Sequence, residues 1–215
     1  MPSRNVLVLG ATGRTGQQVV AQALQLGHVV TALVRDPTKL STRDLPPDRL
    51  RVLPGDMNDA SPALAAAMRG QDVVVSTLGV GTSFASGDLI ARSMQRIIQQ
   101  MAASGPRRLI FTSAFGVGES YRDVPLVPRL FIRLLLRDIY RDKLAGEEQL
   151  RGSALDWTVV CPTSLIDGPA TGQYRVGERL VLRGMPRIAR ADVAAFLLAQ
   201  IDDRRFVGKQ VLISA

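Results

Sequence analysis

A glycine-rich heptad, Gly10-Ala11-Thr12-Gly13-Arg14-Thr15-Gly16, follows the apolar run Val6-Leu7-Val8-Leu9 and leads into a segment with apolar residues at helical spacing (Val19, Val20, Ala23, Leu24). Strand, tight turn and helix in that order constrain the fold more than any other feature of the chain. Glycines let the backbone turn sharply and approach a ligand closely. The unpaired N–H groups at the start of the following helix attract an anion. This is the arrangement of a dinucleotide-binding βαβ unit, with the pyrophosphate expected against Gly10, Thr12, Gly13, Arg14, Thr15 and Gly16.

The alternation continues along the chain. Strands are predicted at 6–9, 29–34, 50–53, 73–76 and 109–112, with helices at 13–26, 61–68 and 88–103 between them. Asp59-Ala60-Ser61-Pro62 reads as a helix start, Gly70 as its C-cap, and Ser104-Gly105-Pro106 as the stop of another helix. The second half reads as a helical stretch over 126–150, a strand over 157–161 and irregular Gly/Pro-rich chain to about 186. A helix over 192–201 and a last strand over 210–214 complete it. Right-handed crossovers then demand a parallel sheet covered on both faces. The expectation is one doubly wound α/β (Rossmann) domain over residues 1–215 with a small C-terminal, substrate-side elaboration.

Composition narrows the function. With 46% hydrophobic and 21% charged residues the chain reads as an ordinary globular protein. It shows neither a membrane-length apolar run nor a secretory signal, so a cytoplasmic location is expected. The single cysteine, Cys161, reads as a small buried hydrophobe, and one histidine, His28, leaves no metal-binding cluster. A net charge of +8 raises the question of nucleic acid. Aromatics make up only 5% of the chain and do not interleave with basic residues, so an anionic small molecule is the simpler partner. Arg129, Arg133, Arg137 and Arg141 recur every four residues, either as a solvated face, as a rim for acidic substrates or as an interfacial helix. Oligomeric state is not legible, and a monomer is compatible with everything above.

In doubly wound sheets ligands lie beyond the carboxyl ends of the strands. Arg35 ends the second strand, where an NAD-binding protein usually carries an acid for the ribose. An arginine there pairs with the 2′-phosphate of NADP, with Arg14 as a second contact, whereas the neighbouring Asp36 would suit NAD. Asp56 and Met57 follow the third strand and would border the adenine. Thr77, Leu78 and Gly79 follow the fourth, with 80–87 as a flexible cover. Ser113 follows the fifth, near the nicotinamide, and Pro162, Thr163 and Ser164 follow the sixth, near its carboxamide. An isolated Ser or Thr more often braces its own turn; the shared position at one sheet edge is what singles these out.

These residues, with Leu33-Val34-Arg35-Asp36, Gly55-Asp56, Thr112-Ser113-Ala114-Phe115, Lys143 with Glu147, and Thr171-Gly172-Gln173-Tyr174, resemble the atypical short-chain dehydrogenases. Within them, they are similar to the NADPH-dependent flavin reductase and biliverdin reductase B group. The resemblance implies NADP(H) as cofactor and Ser113 as the catalytic group at the nicotinamide. It also implies Lys143 at a cofactor ribose, and hydride transfer to a flavin, a linear tetrapyrrole or a similar planar acceptor. Two positions depart from the pattern. The usual Tyr-x-x-x-Lys pair is missing because Ile139 stands four residues before Lys143, with Tyr140 three before. Ser164 stands where the biliverdin-reducing relatives carry histidine. A non-catalytic NADP(H) sensor and a sugar-nucleotide epimerase-like enzyme are the competing expectations.

Overall fold

In a computed structural model, residues 2–43, 45–57, 62–79, 87–124, 129–130, 134–182 and 184–215 are described. The sheet has eight strands in the order β3-β2-β1-β4-β5-β6-β10-β8. Its parallel members are β1 (Asn5–Leu9), β2 (Val29–Val34), β3 (Leu50–Pro54), β4 (Val73–Ser76), β5 (Arg108–Thr112), β6 (Asp156–Pro162) and β10 (Lys209–Ser214). The edge strand β8 (Arg175–Gly177) is antiparallel to β10.

Burial on both faces explains why Val6 to Leu9 of β1 are all apolar rather than alternating. Val6 and Val8 face a core shared with α1 (Arg14–Gln25) and α5 (Arg190–Ala199). Leu7 and Leu9 face the opposite core, built with α2 (Ala63–Met68), α3 (Leu89–Ser104) and α4 (Arg137–Arg151). The chain leaves β1 for β2 on one side and, after β3, returns to place β4 on the other. Strand order thus reverses beyond the carboxyl ends of β1 and β4, which opens a crevice there. Among the described residues no helix is long and apolar enough to cross a membrane.

The strands and helices of the first half match their expected positions to within one or two residues. The start signal of α2 lies largely outside the described residues, as does most of the 80–87 cover. Two expectations need correction. The single helix over 126–150 is interrupted: Leu136 has non-helical φ −113° and ψ 10°, and α4 starts afresh at Arg137. The contacts that fix α4 come from Asp142 and Tyr140, whereas Leu130, Leu134 and Leu135 before the break are exposed and gain no burial from a common axis. The stretch to 186 is not irregular throughout. It holds β8 and the parallel pair β7 (Ser164–Ile166) and β9 (Arg187–Ala189). Three-residue strands are too short to show a periodicity.

Tertiary contacts supply end groups that the local sequence lacks. The residue before α3, Asp88, has left-handed φ 56° and makes no side-chain cap. Asp142 of α4 takes that place, accepting from the N–H groups of Ile90 at 3.0 Å and Ala91 at 2.8 Å. Asp192 of α5 likewise accepts from the N–H groups of Thr171 and Gly172, both at 2.8 Å, and from the Thr171 hydroxyl at 2.9 Å. Asp142→Ala is expected to lower stability by about 1–2 kcal/mol, since a cap is lost and two N–H groups are left unpaired. Urea unfolding followed by circular dichroism measures the change.

Candidate functional site

The glycine loop fills the crevice. Gly10 leaves β1 at φ +81°, and a Cβ there would lie 2.9 Å from the backbone of Thr77 at the end of β4. The Thr77 hydroxyl ties the two strand ends together, donating to the carbonyls of Leu9 and Gly10, both at 3.2 Å. A Cβ on Gly16 would stand 2.1 Å from the Gly10 carbonyl oxygen, so α1 approaches the loop as closely as backbone allows. Gly13 precedes α1 in extended conformation, with no side-chain cap, and no acid stands in the first helical turn. That helix start is left as a donor surface with a positive dipole end, suited to a pyrophosphate. The Gln17 side chain donates to the Thr12 carbonyl at 3.1 Å and holds the loop down.

At the end of β2 the two rival side chains are sorted by their partners. Asp36 starts a short 3₁₀ turn: its Oδ1 accepts from the Thr38 N–H at 3.1 Å and from the Thr38 hydroxyl at 2.6 Å. Those bonds hold its carboxyl below the usual range. Arg35 is exposed and pairs with no carboxylate among the described residues. Beyond β3, Met57 is buried in the core. Arg96 donates to the Met57 carbonyl at 2.6 Å. Leu78 and Gly79 continue from Thr77 and become more exposed along that path.

Ser113 is buried directly after β5, its N–H donating to the Val160 carbonyl of β6 at 2.8 Å. Pro162 ends β6. The Thr163 hydroxyl bonds to that of Ser214 at 3.2 Å, which turns it toward β10, while Ser164 is exposed. Lys143 places its ammonium 5.8 Å from the centre of the Phe111 ring, and burial lowers its pKa. Arg14 pairs with Asp167, which follows β7 and also binds Arg190 at 2.7 Å. The first residues of α1 and α5 are thereby joined, while Arg35 stands on the other side of β1.

The same end of the sheet brings together residues whose role was not read from sequence. Tyr140 donates to the Phe115 carbonyl at 3.0 Å, and burial pushes its hydroxyl up to about 12. A cavity of about 330 Å³ lies against the loop that leaves Ser113, walled by Val117, Gly118, Tyr121, Tyr140 and Leu144, with Arg137 and Arg141 at its exposed side. Neither arginine is paired with a carboxylate among the described residues. Arg129 serves a different purpose: it donates to the carbonyls of Tyr121, Arg122 and Val124 and covers the Tyr121 ring, while Arg133 lies outside the described residues. The basic stripe is therefore not one uniform solvated face. A signal for the buried part was present in the i, i+3, i+4 recurrence of Tyr140, Lys143, Glu147 and Arg151.

Residues 10–204 match the profile of a family described as NAD(P)H-binding. The chain belongs to that family. An isoflavone reductase homolog of Zea mays is 32% identical over 118 residues, 52% of this chain but only 35% of that protein. The sugar epimerase YhfK of Bacillus subtilis, itself uncharacterized, is 25% identical over 205 residues, covering 93% of this chain and 88% of its own. Among solved structures, ChuY, an anaerobillin reductase of Escherichia coli O157:H7, superposes with a TM-score of 0.78 at 25% identity, over 97% of this chain and 96% of its own. The cradle of Gly10 and Gly16 and the uncapped start of α1 fit the dinucleotide that this family binds. Gly16→Ala is expected to weaken NADPH binding at least about tenfold, about 1.4 kcal/mol, with helical content retained. Titration calorimetry and circular dichroism read the two effects separately.

Proposed function

We propose that the chain is a cytoplasmic NADPH-dependent reductase of flavins or similar planar, conjugated acceptors. The observation that carries the cofactor preference is at the end of β2. Asp36 is occupied in capping its own turn, and the exposed Arg35 guanidinium remains for the 2′-phosphate. Arg14 adds a positive charge beside the pyrophosphate, which rests on Gly10, Gly13, Gly16 and the first turn of α1. Asp56 borders the adenosine half, Thr77 to Gly79 the path between the two halves, and Ser113, Lys143 and the segment from Pro162 to Ser164 the nicotinamide half.

When bound, the dinucleotide supplies the hydride. The protein contributes position and exclusion of water, which suffice for hydride transfer between two conjugated rings. The cavity bordered by Gly116 to Gly118 falls within the size range of small-ligand sites, and its lining is mostly apolar. Arg137 and Arg141 at its exposed side favour an acceptor that carries an anionic group. Epimerisation at an alcohol fits less well. It needs a tyrosine whose proton comes off readily, whereas the Tyr140 hydroxyl is bonded to a backbone carbonyl and pushed up to about 12.

Two outcomes test this reading. Arg35→Glu should weaken NADPH binding by about tenfold to a hundredfold while leaving NADH within about twofold; equal losses for both would refute the assignment of Arg35. In steady-state assays at low ionic strength FMN should show a KM about tenfold below that of riboflavin, and Arg137→Gln/Arg141→Gln should erase the difference. NADPH binding without turnover of any flavin would favour the sensor instead.

A further inference from the structure

The chain that leads into α4 carries side chains that neither the dinucleotide nor the cavity accounts for. Leu130, Leu134 and Leu135 are 57%, 69% and 55% exposed. Arg137 and Arg141 follow on the exposed face of α4, and neither is paired with a carboxylate among the described residues. In sequence, residues 129–141 hold four arginines and a single acid, Asp138, among eight apolar or aromatic residues. One exposed leucine needs no explanation. Three within six residues, next to unpaired guanidinium groups, mark a contact surface.

That surface is anchored on both sides. Before the leucines, Arg129 donates to the carbonyls of Tyr121 at 3.3 Å, Arg122 at 3.2 Å and Val124 at 3.0 Å. After them, Tyr140 donates to the Phe115 carbonyl and Asp142 accepts from the N–H groups of Ile90 and Ala91. A partner therefore meets groups whose flanks are already ordered, which lowers the entropic cost of contact. The acids mark the opposite flank. Arg141 also borders a hollow that carries Asp88, Asp138 and Glu148, and an anionic partner is kept to the side of Arg137 and the leucines.

The mixture of side chains selects the partner. A small phosphorylated molecule held by Arg137 and Arg141 would leave the leucines in water, so phosphate recognition alone does not explain them. Leucine is under-represented among the residues that dominate protein–protein contacts. Leucines flanked by arginines instead suit the boundary of a bilayer, with the apolar groups among acyl chains and the guanidinium groups at lipid phosphates. The net charge of +8 adds a long-range attraction to such a surface. We propose that Leu130, Leu134 and Leu135, together with Arg137 and Arg141, dock the protein on an anionic phospholipid membrane. Because the two arginines also stand at the exposed side of the cavity, docking turns its mouth toward the headgroups. The inference does not depend on which acceptor the cavity takes.

Co-sedimentation of the full chain with lipid vesicles tests it. Vesicles of phosphatidylcholine with about one-third phosphatidylglycerol should bind wild type at least about tenfold more tightly than phosphatidylcholine alone, and about 0.5 M salt should remove most of that difference. Leu134→Ser/Leu135→Ser should weaken binding to the anionic vesicles at least about tenfold, with circular dichroism and NADPH affinity unchanged. Arg137→Gln/Arg141→Gln should weaken it about tenfold on anionic vesicles and leave neutral ones unaffected. Failure of wild type to bind anionic vesicles at low salt overturns the proposal. So does equal binding by Leu134→Ser/Leu135→Ser, which would assign the attraction to net charge alone. A wild-type dimer in analytical ultracentrifugation that Leu134→Ser/Leu135→Ser dissociates would give the leucines to a second copy of the chain and overturn it as well. NADPH oxidation by soluble acceptors, measured without vesicles, decides the reductase reading separately.

Discussion

The tight backbone approach of α1 to the glycine loop is the constraint around which the rest of the site is arranged. With the Gly10 carbonyl oxygen 2.1 Å from where a Cβ of residue 16 would lie, no side chain can separate helix from strand. The first turn of α1 is thereby held at the crevice between β1 and β4, with neither a capping side chain nor an acid to satisfy it. Helix starts of this kind are stabilised by an anion. Thr77 and Gln17 brace the loop from β4 and from α1 itself.

From that fixed point the site extends in two directions with different chemistry. Toward β2 the surface is polar and open, and the decision between dinucleotides rests on which of two adjacent side chains is already engaged. Toward β5 and β6 the protein becomes dry. Ser113, Glu147, Cys161 and Lys143 share a volume in which desolvation outweighs the individual charges, raising the acid and the thiol and lowering the amine. The thiol is pushed up to about 12, which removes Cys161 from acid–base work at neutral pH.

Much of the architecture was legible because the local and global patterns agree. Gly10 and Gly16 stand where a side chain would strike backbone, and the apolar runs of β1, β2, β4 and β5 are those of strands buried on both faces. What escaped was set by contacts between distant residues. Nothing near Leu89 foretells that Asp142 will cap α3, or that α4 will start anew after Leu136. Strands β7, β8 and β9 are stabilised by pairing, not by a pattern of their own. At the site, the residue types along the sheet edge were readable, but their engagement was not. Thr163 bonds to Ser214, Asp36 caps a turn, and Glu147, one helical turn beyond Lys143, is buried.

The central claim is that the uncapped start of α1 receives the pyrophosphate, and backbone amide NMR tests it most directly. On titration with NADPH, the N–H resonances of residues 12–17 should shift the most and become the best protected from solvent exchange. The signals of the strand ends opposite the site, at Asn5, Val73 and Arg108, should stay in place. An unchanged spectrum for residues 12–17 at saturating NADPH, or shifts confined to another surface, would contradict the account.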